Sequence, residues 1–298
     1  MLTGIHILLT YRCAYECDHC FVFGSPSAEG TFTLAQVRAL INEARKIGTV
    51  ETIFFEGGEA FLFYPLLLEG VRLAREAGFK VGIVTNAYFA TTVEDAVLWL
   101  RPLADLGLSV ISISDDSFHG GAEDSPAKKA LKAAESLKIQ AGTICIEPPG
   151  TTRREDRKKG EPVVSGGVMF KGRAAEKLTA GLPTADWQEF TECPHEDLSS
   201  PGRVHVDAFG WVHLCQGICM GNAWETPLSE LIRAYDANEN PIARTLIAGG
   251  PAGLAAEFGM SADAGYVDAC HLCYTVRKSL IDRYPRQLAP RRLYGLAP

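Results

Sequence analysis

The stretch YRCAYECDHCFVFG, residues 11–24, sets Cys13, Cys17 and Cys20 in the spacing C-x3-C-x2-C. Directly before it, GIHILLT (4–10) is an apolar run of strand length. The thiols therefore sit on the loop that leaves the first strand. Three thiolates can hold three irons of a 4Fe–4S cube and leave the fourth iron open. A structural zinc needs a fourth ligand, and His19 lies between two of the cysteines, where it would strain a tetrahedral site. A thioredoxin-like site uses two cysteines at a helix N-terminus, not three. Spacing and placement together favour the open iron–sulfur site.

Outward from this loop, helix and strand patterns alternate. Thr33 precedes LAQVRALINEARKIG, with Leu34, Val37, Leu40, Ile41 and Ala44 on one face and Gly48 as the stop. VETIFFEGG, KVGIVTNA, LSVISISDD, QAGTICIEP and PVVSGGVMF read as strands two to six. LLLEGVRLAREAG, residues 92–106 and SPAKKALKAAESLK read as helices, the last with Ser125 as N-cap and Pro126 at its first position. Short connections between strands and helices mark βαβ units and a parallel sheet. The expected fold is α/β: a partial (β/α)6 TIM-like barrel with its chemistry at the strand C-terminal ends. After about residue 178 the alternation stops. GRVHVDAFGWVHLCQG reads as a hairpin and PLSELIRAYDA as a short helix, and Cys193, Cys215, Cys219, Cys270 and Cys273 follow. A barrel over 1–178 and a small cysteine-rich domain with the tail over 179–298 are expected.

Composition narrows the classes. The chain has 298 residues, 47% hydrophobic and 22% charged, with a formal net charge of −7. Basic residues cluster only in TRREDRKKG (151–160) and in APRRLYG near the C-terminus, without interleaved aromatics. A solvated loop and a basic tail are expected, and nucleic acid is not an expected partner. The N-terminus lacks a positive n-region, and no apolar run of about 18 residues exists. The greasiest stretch is interrupted by Glu56 and Glu59. A cytoplasmic protein with no membrane partner is expected. Nine cysteines in a reducing compartment point to metal or redox chemistry rather than disulfides.

Cys13, Cys17 and Cys20 after strand one, with Gly57-Gly58-Glu59 after strand two, resemble the radical S-adenosylmethionine (SAM) superfamily over most of residues 5–175. The resemblance implies a 4Fe–4S cluster whose open iron is chelated by SAM, and reductive cleavage of SAM to a 5'-deoxyadenosyl radical. It implies that Gly57 and Gly58 allow a close approach to the methionine part and that Glu59 pairs with its ammonium. Ala60 stands where the family usually has proline. His19 takes the family's aromatic position before the third cysteine, and with Phe21 it is expected near the adenine. Thr85 and Asn86 fall where the family often contacts the methionine part. Ser112 and Ser114 fall where it contacts ribose or carboxylate, and Gly142 and Ile144 match its adenine-side motif weakly.

The later cysteines resemble an auxiliary-cluster domain of the SPASM/Twitch type. The shorter Twitch form implies one auxiliary 4Fe–4S cluster on Cys193, Cys215, Cys270 and Cys273, with Cys219 spare; structural zinc is the alternative. A fully ligated cluster is expected to act as an electron relay. In SISDDSFHG (112–120), Asp115, Asp116 and His119 are candidate substrate-binding or proton-transfer groups, as are Glu147 and Arg173, the latter as a carboxylate grip. His195, His213 and His271 are expected to be neighbours of the cysteines rather than ligands. The expected activity is hydrogen abstraction from an organic substrate, oxidising or rearranging a small molecule. A maturase of a ribosomally made peptide, a glycyl-radical activating enzyme and a zinc-stabilised binding module are the competing readings. The enzyme readings need an external electron donor such as flavodoxin or ferredoxin.

Overall fold

The computed structural model describes residues 1–121, 123–153, 162–260 and 265–297. Strands β1 (Gly4–Thr10), β2 (Thr52–Gly57), β3 (Lys80–Thr85), β4 (Val110–Ser114) and β5 (Gln140–Ile144) pair in parallel in that order. Between them run α1 (Leu34–Ile47), α2 (Tyr64–Glu76), α3 (Val93–Asp105) and α4 (Pro126–Ser136). Local chemistry sets the helix ends. Thr33 and Gln36 form a capping box at the start of α1, and Gly48 closes it in the left-handed conformation. Ser125 accepts the Lys128 N–H, and Pro126 opens α4.

Side chains alternate across the strands. Ile5, Ile7, Leu9, Ile53, Phe55, Val81, Ile83, Ile111 and Ile113 are buried in a core shared with Val37, Leu40, Leu67, Val71, Leu100 and Leu103 of the helices. The intervening residues line a cavity on the opposite face of the sheet.

One expectation is corrected. The segment around residues 162–170 does not supply the sixth barrel strand. Its strand β7 (Pro162–Ser165) pairs antiparallel with β6 (Gly150–Arg153) in a separate two-stranded sheet. The sixth parallel strand is β8 (Arg203–Asp207), which docks on the free edge of β1 with His6 opposite His205. An apolar run specifies a strand but not its partner, so the swap is invisible locally. The β8 strand turns into β9 (Trp211–Cys215) and then β10 (Ile218–Asn222), both antiparallel, as the hairpin pattern implied. The full sheet order is β10-β9-β8-β1-β2-β3-β4-β5.

After α5 (Arg173–Lys177) and the β8–β10 strands come α6 (Leu228–Ala234), α7 (Pro241–Glu257) and α8 (Ala269–Leu280). A second core gathers Leu214, Ile218, Leu246, Leu254, Leu272, Val276 and Tyr294. The basic C-terminal segment is not a free tail. Arg292 lies over the Tyr11 ring at 4.5 Å, and the buried Tyr294 hydroxyl donates to Gly217 O at 2.7 Å. Most of the basic stretch 151–160 lies outside the described residues. No helix among the described residues is long and apolar enough to cross a membrane.

Candidate active site

The cysteine loop is held by backbone bonds and by one buried cation. Cys13 N donates to Ser25 O at 3.0 Å, and Tyr11 N to Gly30 O at 2.9 Å. The Arg173 guanidinium, buried at the start of α5, donates to Cys17 O at 2.7 Å and to Gly24 O at 2.5 Å. Arg173 therefore clamps the loop's backbone; it does not line the cavity as a carboxylate grip. Burial pushes the Cys13 thiol up to about 11 and Cys17 up to about 12, so these sulfurs need a bound cation to hold them as thiolates.

The Gly57-Gly58 turn is explained by this loop. A Cβ on Gly57 would come within 2.4 Å of Thr10 O, and one on Gly58 within 2.3 Å of Arg12 O. Only glycines let the end of β2 lie against the chain that leads into Cys13. The contact is sealed by Gly58 N to Thr10 O at 2.7 Å and Glu59 N to Arg12 O at 2.8 Å. Both glycines still line the cavity. Glu59 does not. Its buried carboxylate accepts from the Thr85 hydroxyl (2.9 Å), the Asn86 N–H (2.8 Å) and the Phe61 N–H (3.0 Å). Burial raises its pKa to about 7 against the pull of those bonds.

The cavity is about 500 Å³. Cys13, Cys17, Cys20, His19, Phe21, Gly57, Gly58, Thr85, Asn86, Ser112, Ser114, His119 and Ile144 all line it. Asn86 Nδ2 reaches Cys13 Sγ at 3.4 Å, joining the end of β3 to the cysteine loop. His119 Nε2 stands 3.5 Å from Cys17 Sγ, and its Nδ1 pairs with Asp116 at 2.8 Å. Asp116 is buried behind it and also accepts the Phe118, His119 and Ile146 N–H groups. It orients the loop and the imidazole rather than facing the cavity. Asp115 accepts from Ser125 Oγ at 3.0 Å, and Gly142 is exposed on the edge strand; neither lines the cavity.

Sequence reasoning missed His6, Glu56 and His205, which line the same cavity. Glu56 accepts from His6 Nδ1 at 3.0 Å and His205 Nδ1 at 2.6 Å. The two imidazoles hold its carboxylate well below the usual range, and burial lowers the pKa of His205. The available signal was strand alternation, which points positions 6, 56 and 205 to the side opposite the apolar core.

Cys193, Cys215, Cys270 and Cys273 line a second, small cavity of about 30 Å³ with Lys171 and Arg277. Lys171 borders both cavities; its Nζ is 3.7 Å from Cys215 Sγ and 2.9 Å from Gln216 Oε1. Burial pushes the Cys270 and Cys273 thiols up. Cys219 is elsewhere, buried against His213 Nδ1 (3.3 Å) and Ala289 O (3.2 Å). Among the described residues, the donor groups that close to within 4.8 Å of one another are His6–Glu56–His205 and His19–Asp116–His119; neither cysteine set does so. A tetrahedral zinc bonded at about 2.3 Å would draw its sulfurs to about 3.8 Å apart. Neither thiol set is drawn in to the spacing a single tetrahedral zinc would impose.

This arrangement defines a class. Residues 7–138 match the family model described as the Radical SAM superfamily. Members of that superfamily use a 4Fe–4S cluster and SAM, and the three thiols and the glycine turn lie inside the matched span. Particular relatives resemble parts of the chain. "Putative peptide biosynthesis protein YydG" of Bacillus subtilis (strain 168) is 27% identical over 115 residues, 39% of this chain and 36% of that protein. The tungsten-containing aldehyde ferredoxin oxidoreductase cofactor-modifying protein of Pyrococcus furiosus is 28% identical over 112 residues, 38% of this chain and 30% of that protein. These matches span about a third of the relatives' length. The crystal structure of BtrN in complex with AdoMet and 2-DOIA shares the fold, with a TM-score of 0.52 over 92% of each chain at 15% identity.

Proposed function

We propose that the chain is a radical SAM oxidoreductase that cleaves SAM reductively and abstracts hydrogen from an organic substrate held in the cavity. The observation that carries this is the convergence of Cys13, Cys17 and Cys20 with Gly57, Gly58, Thr85, Asn86, Ser112 and Ser114 on one cavity of about 500 Å³. In this reading the three cysteines hold the cluster, and the cluster with SAM supplies the 5'-deoxyadenosyl radical. The protein's part is positioning. Glu59 fixes Thr85 and Asn86 at the end of β3, and these meet the methionine part. Ser112 and Ser114 offer hydroxyls toward ribose or carboxylate. His19, Phe21 and Ile144 supply the faces that pack near the adenine. His119, backed by Asp116, is the polar group closest to Cys17 and faces the substrate side.

Residues 179–298 form an auxiliary domain in which Cys193, Cys215, Cys270 and Cys273 hold a second 4Fe–4S cluster. Held there, that cluster would supply an acceptor for an electron from the substrate radical, and an external donor such as flavodoxin or ferredoxin, in the cytoplasm, would reduce the first one. The substrate is a small organic molecule. The similarity to YydG favours a second reading, a ribosomally made peptide.

The test is anaerobic. Reconstituted protein with ~8 Fe per chain, given a strong reductant and SAM, forms 5'-deoxyadenosine. A fully loaded protein that leaves SAM intact would end the proposal, and a product with no net oxidation would end the electron-relay part.

A further inference from the structure

Just below Gly57 the cavity wall carries three donors that the SAM reading leaves unused. They come from three neighbouring strands. Glu56 precedes the glycine turn on β2, His6 lies on β1, and His205 faces His6 across the β1–β8 ladder. Packing fixes the rings. His6 stacks on Phe54 at 4.8 Å with 14° between the planes, and Phe54 in turn lies flat over Gly82, where a Cβ would come within 2.3 Å of the ring. His205 lies 4.7 Å from His6, ring to ring. Both imidazoles turn Nδ1 toward the same carboxylate, one on each oxygen. Among the described residues neither Nε2 has a protein partner, and both rings border the cavity.

We propose that His6, Glu56 and His205 form a mononuclear site for a divalent transition-metal ion. Two imidazoles and one carboxylate, with the remaining positions open, are a donor set suited to zinc or ferrous iron. The three donor atoms lie within 4.8 Å of one another. His6 Nδ1 is 3.0 Å from one Glu56 oxygen and His205 Nδ1 is 2.6 Å from the other, the order of the roughly 3 Å between neighbouring ligands bonded at about 2.1 Å at right angles, so the carboxylate can serve both sides of the ion. Metal entry needs no net loss of protons. Each ring moves its proton from Nδ1 to Nε2, where the cavity is open to receive the hydrogen bond, and gives its Nδ1 lone pair to the ion. The set contains no sulfur, so it does not compete for the irons of either cysteine site. It sits on strands rather than loops, which holds its geometry firmly. All three residues line the cavity, so an ion held there would be within reach of an oxygen or nitrogen donor of the substrate and would act as a Lewis acid toward it. The inference goes beyond the SAM reading and stands or falls separately from it.

The probe is zinc. Reconstituted protein with both cysteine sites filled with iron is equilibrated with Zn2+, desalted, and assayed for iron and zinc separately. The expected result is one zinc per chain with unchanged iron, and a zinc-edge X-ray absorption spectrum with only nitrogen and oxygen neighbours at about 2.0–2.1 Å. Glu56→Gln and His205→Gln should each lose the zinc while keeping the iron. Three outcomes would overturn the proposal: no zinc retained by the wild-type protein, a sulfur shell at about 2.3 Å, or variants that hold as much zinc as wild type. The absorption spectrum needs only the wild-type chain, so it decides the matter even if a variant fails to fold.

Discussion

The two cysteine sites of this chain are built on opposite plans. Cys13, Cys17 and Cys20 border a cavity of about 500 Å³ whose other walls carry hydroxyls, an amide and imidazoles. Cys193, Cys215, Cys270 and Cys273 close around a cavity of about 30 Å³ beside Lys171 and Arg277. The first leaves room for a ligand of metabolite size; the second leaves none. A three-thiol set at an open mouth is therefore better read as a site with a vacant coordination position than as an incomplete one. Lys171 borders both cavities, as do Met169 and Glu196.

The largest expected effect separates the sites outright. Changing Cys13, Cys17 and Cys20 together to Ala should abolish 5'-deoxyadenosine formation and leave ~4 Fe per chain, read by product chromatography and iron assay. The mirror experiment is Cys270→Ala with Cys273→Ala. It should also remove ~4 Fe, yet leave SAM cleavage in place. If both variants lost cleavage equally, the division of labour would be wrong.

A second tier probes how the open site is held. Arg173→Met strips the charged donor from Gly24 O and from Cys17 O, leaving Cys17 O only the Cys20 N–H at 3.1 Å. It should cost about 3 kcal/mol of stability in urea unfolding and release iron from the three-cysteine site before the four-cysteine one. Glu59→Gln keeps one acceptor oxygen but places an NH2 where Thr85 or Asn86 needs an acceptor. A loss of about 1.4 kcal/mol would weaken SAM binding roughly tenfold, measurable by equilibrium dialysis.

The smallest effect is a pH dependence on the closed side. His213, between Cys219 and the Asp207 carboxylate at 3.4 Å, is raised from 6.5 to about 10: burial opposes the charge, but the attraction of Cys219 and Asp207 prevails. Its contribution to stability is complete below pH 6.5 and is lost as pH rises through 10. Melting temperature should fall over that window, and His213→Gln should flatten the slope.

How much of this was legible in the sequence depends on range. The cysteine loop, the glycine turn and the strand–helix alternation are local, and each was readable from spacing or periodicity. The sixth barrel strand was not, because Arg203–Asp207 reaches β1 across about two thirds of the chain, while the apolar run near residue 165 looks equally suitable. Side-chain direction was also hidden. Glu59, Arg173 and Asp116 were legible as polar groups at strand or helix ends, but each turns inward to hold backbone. His6, Glu56 and His205 escaped notice because they are scattered over two hundred positions and meet only when three strands align.

One measurement tests the central claim directly. In a variant lacking Cys270 and Cys273, only the three-cysteine cluster remains to be reduced and observed by electron paramagnetic resonance. Adding SAM should change its spectrum if, as proposed, SAM takes the position that no cysteine fills. A spectrum unaltered by saturating SAM would contradict the account, since the site would then be closed.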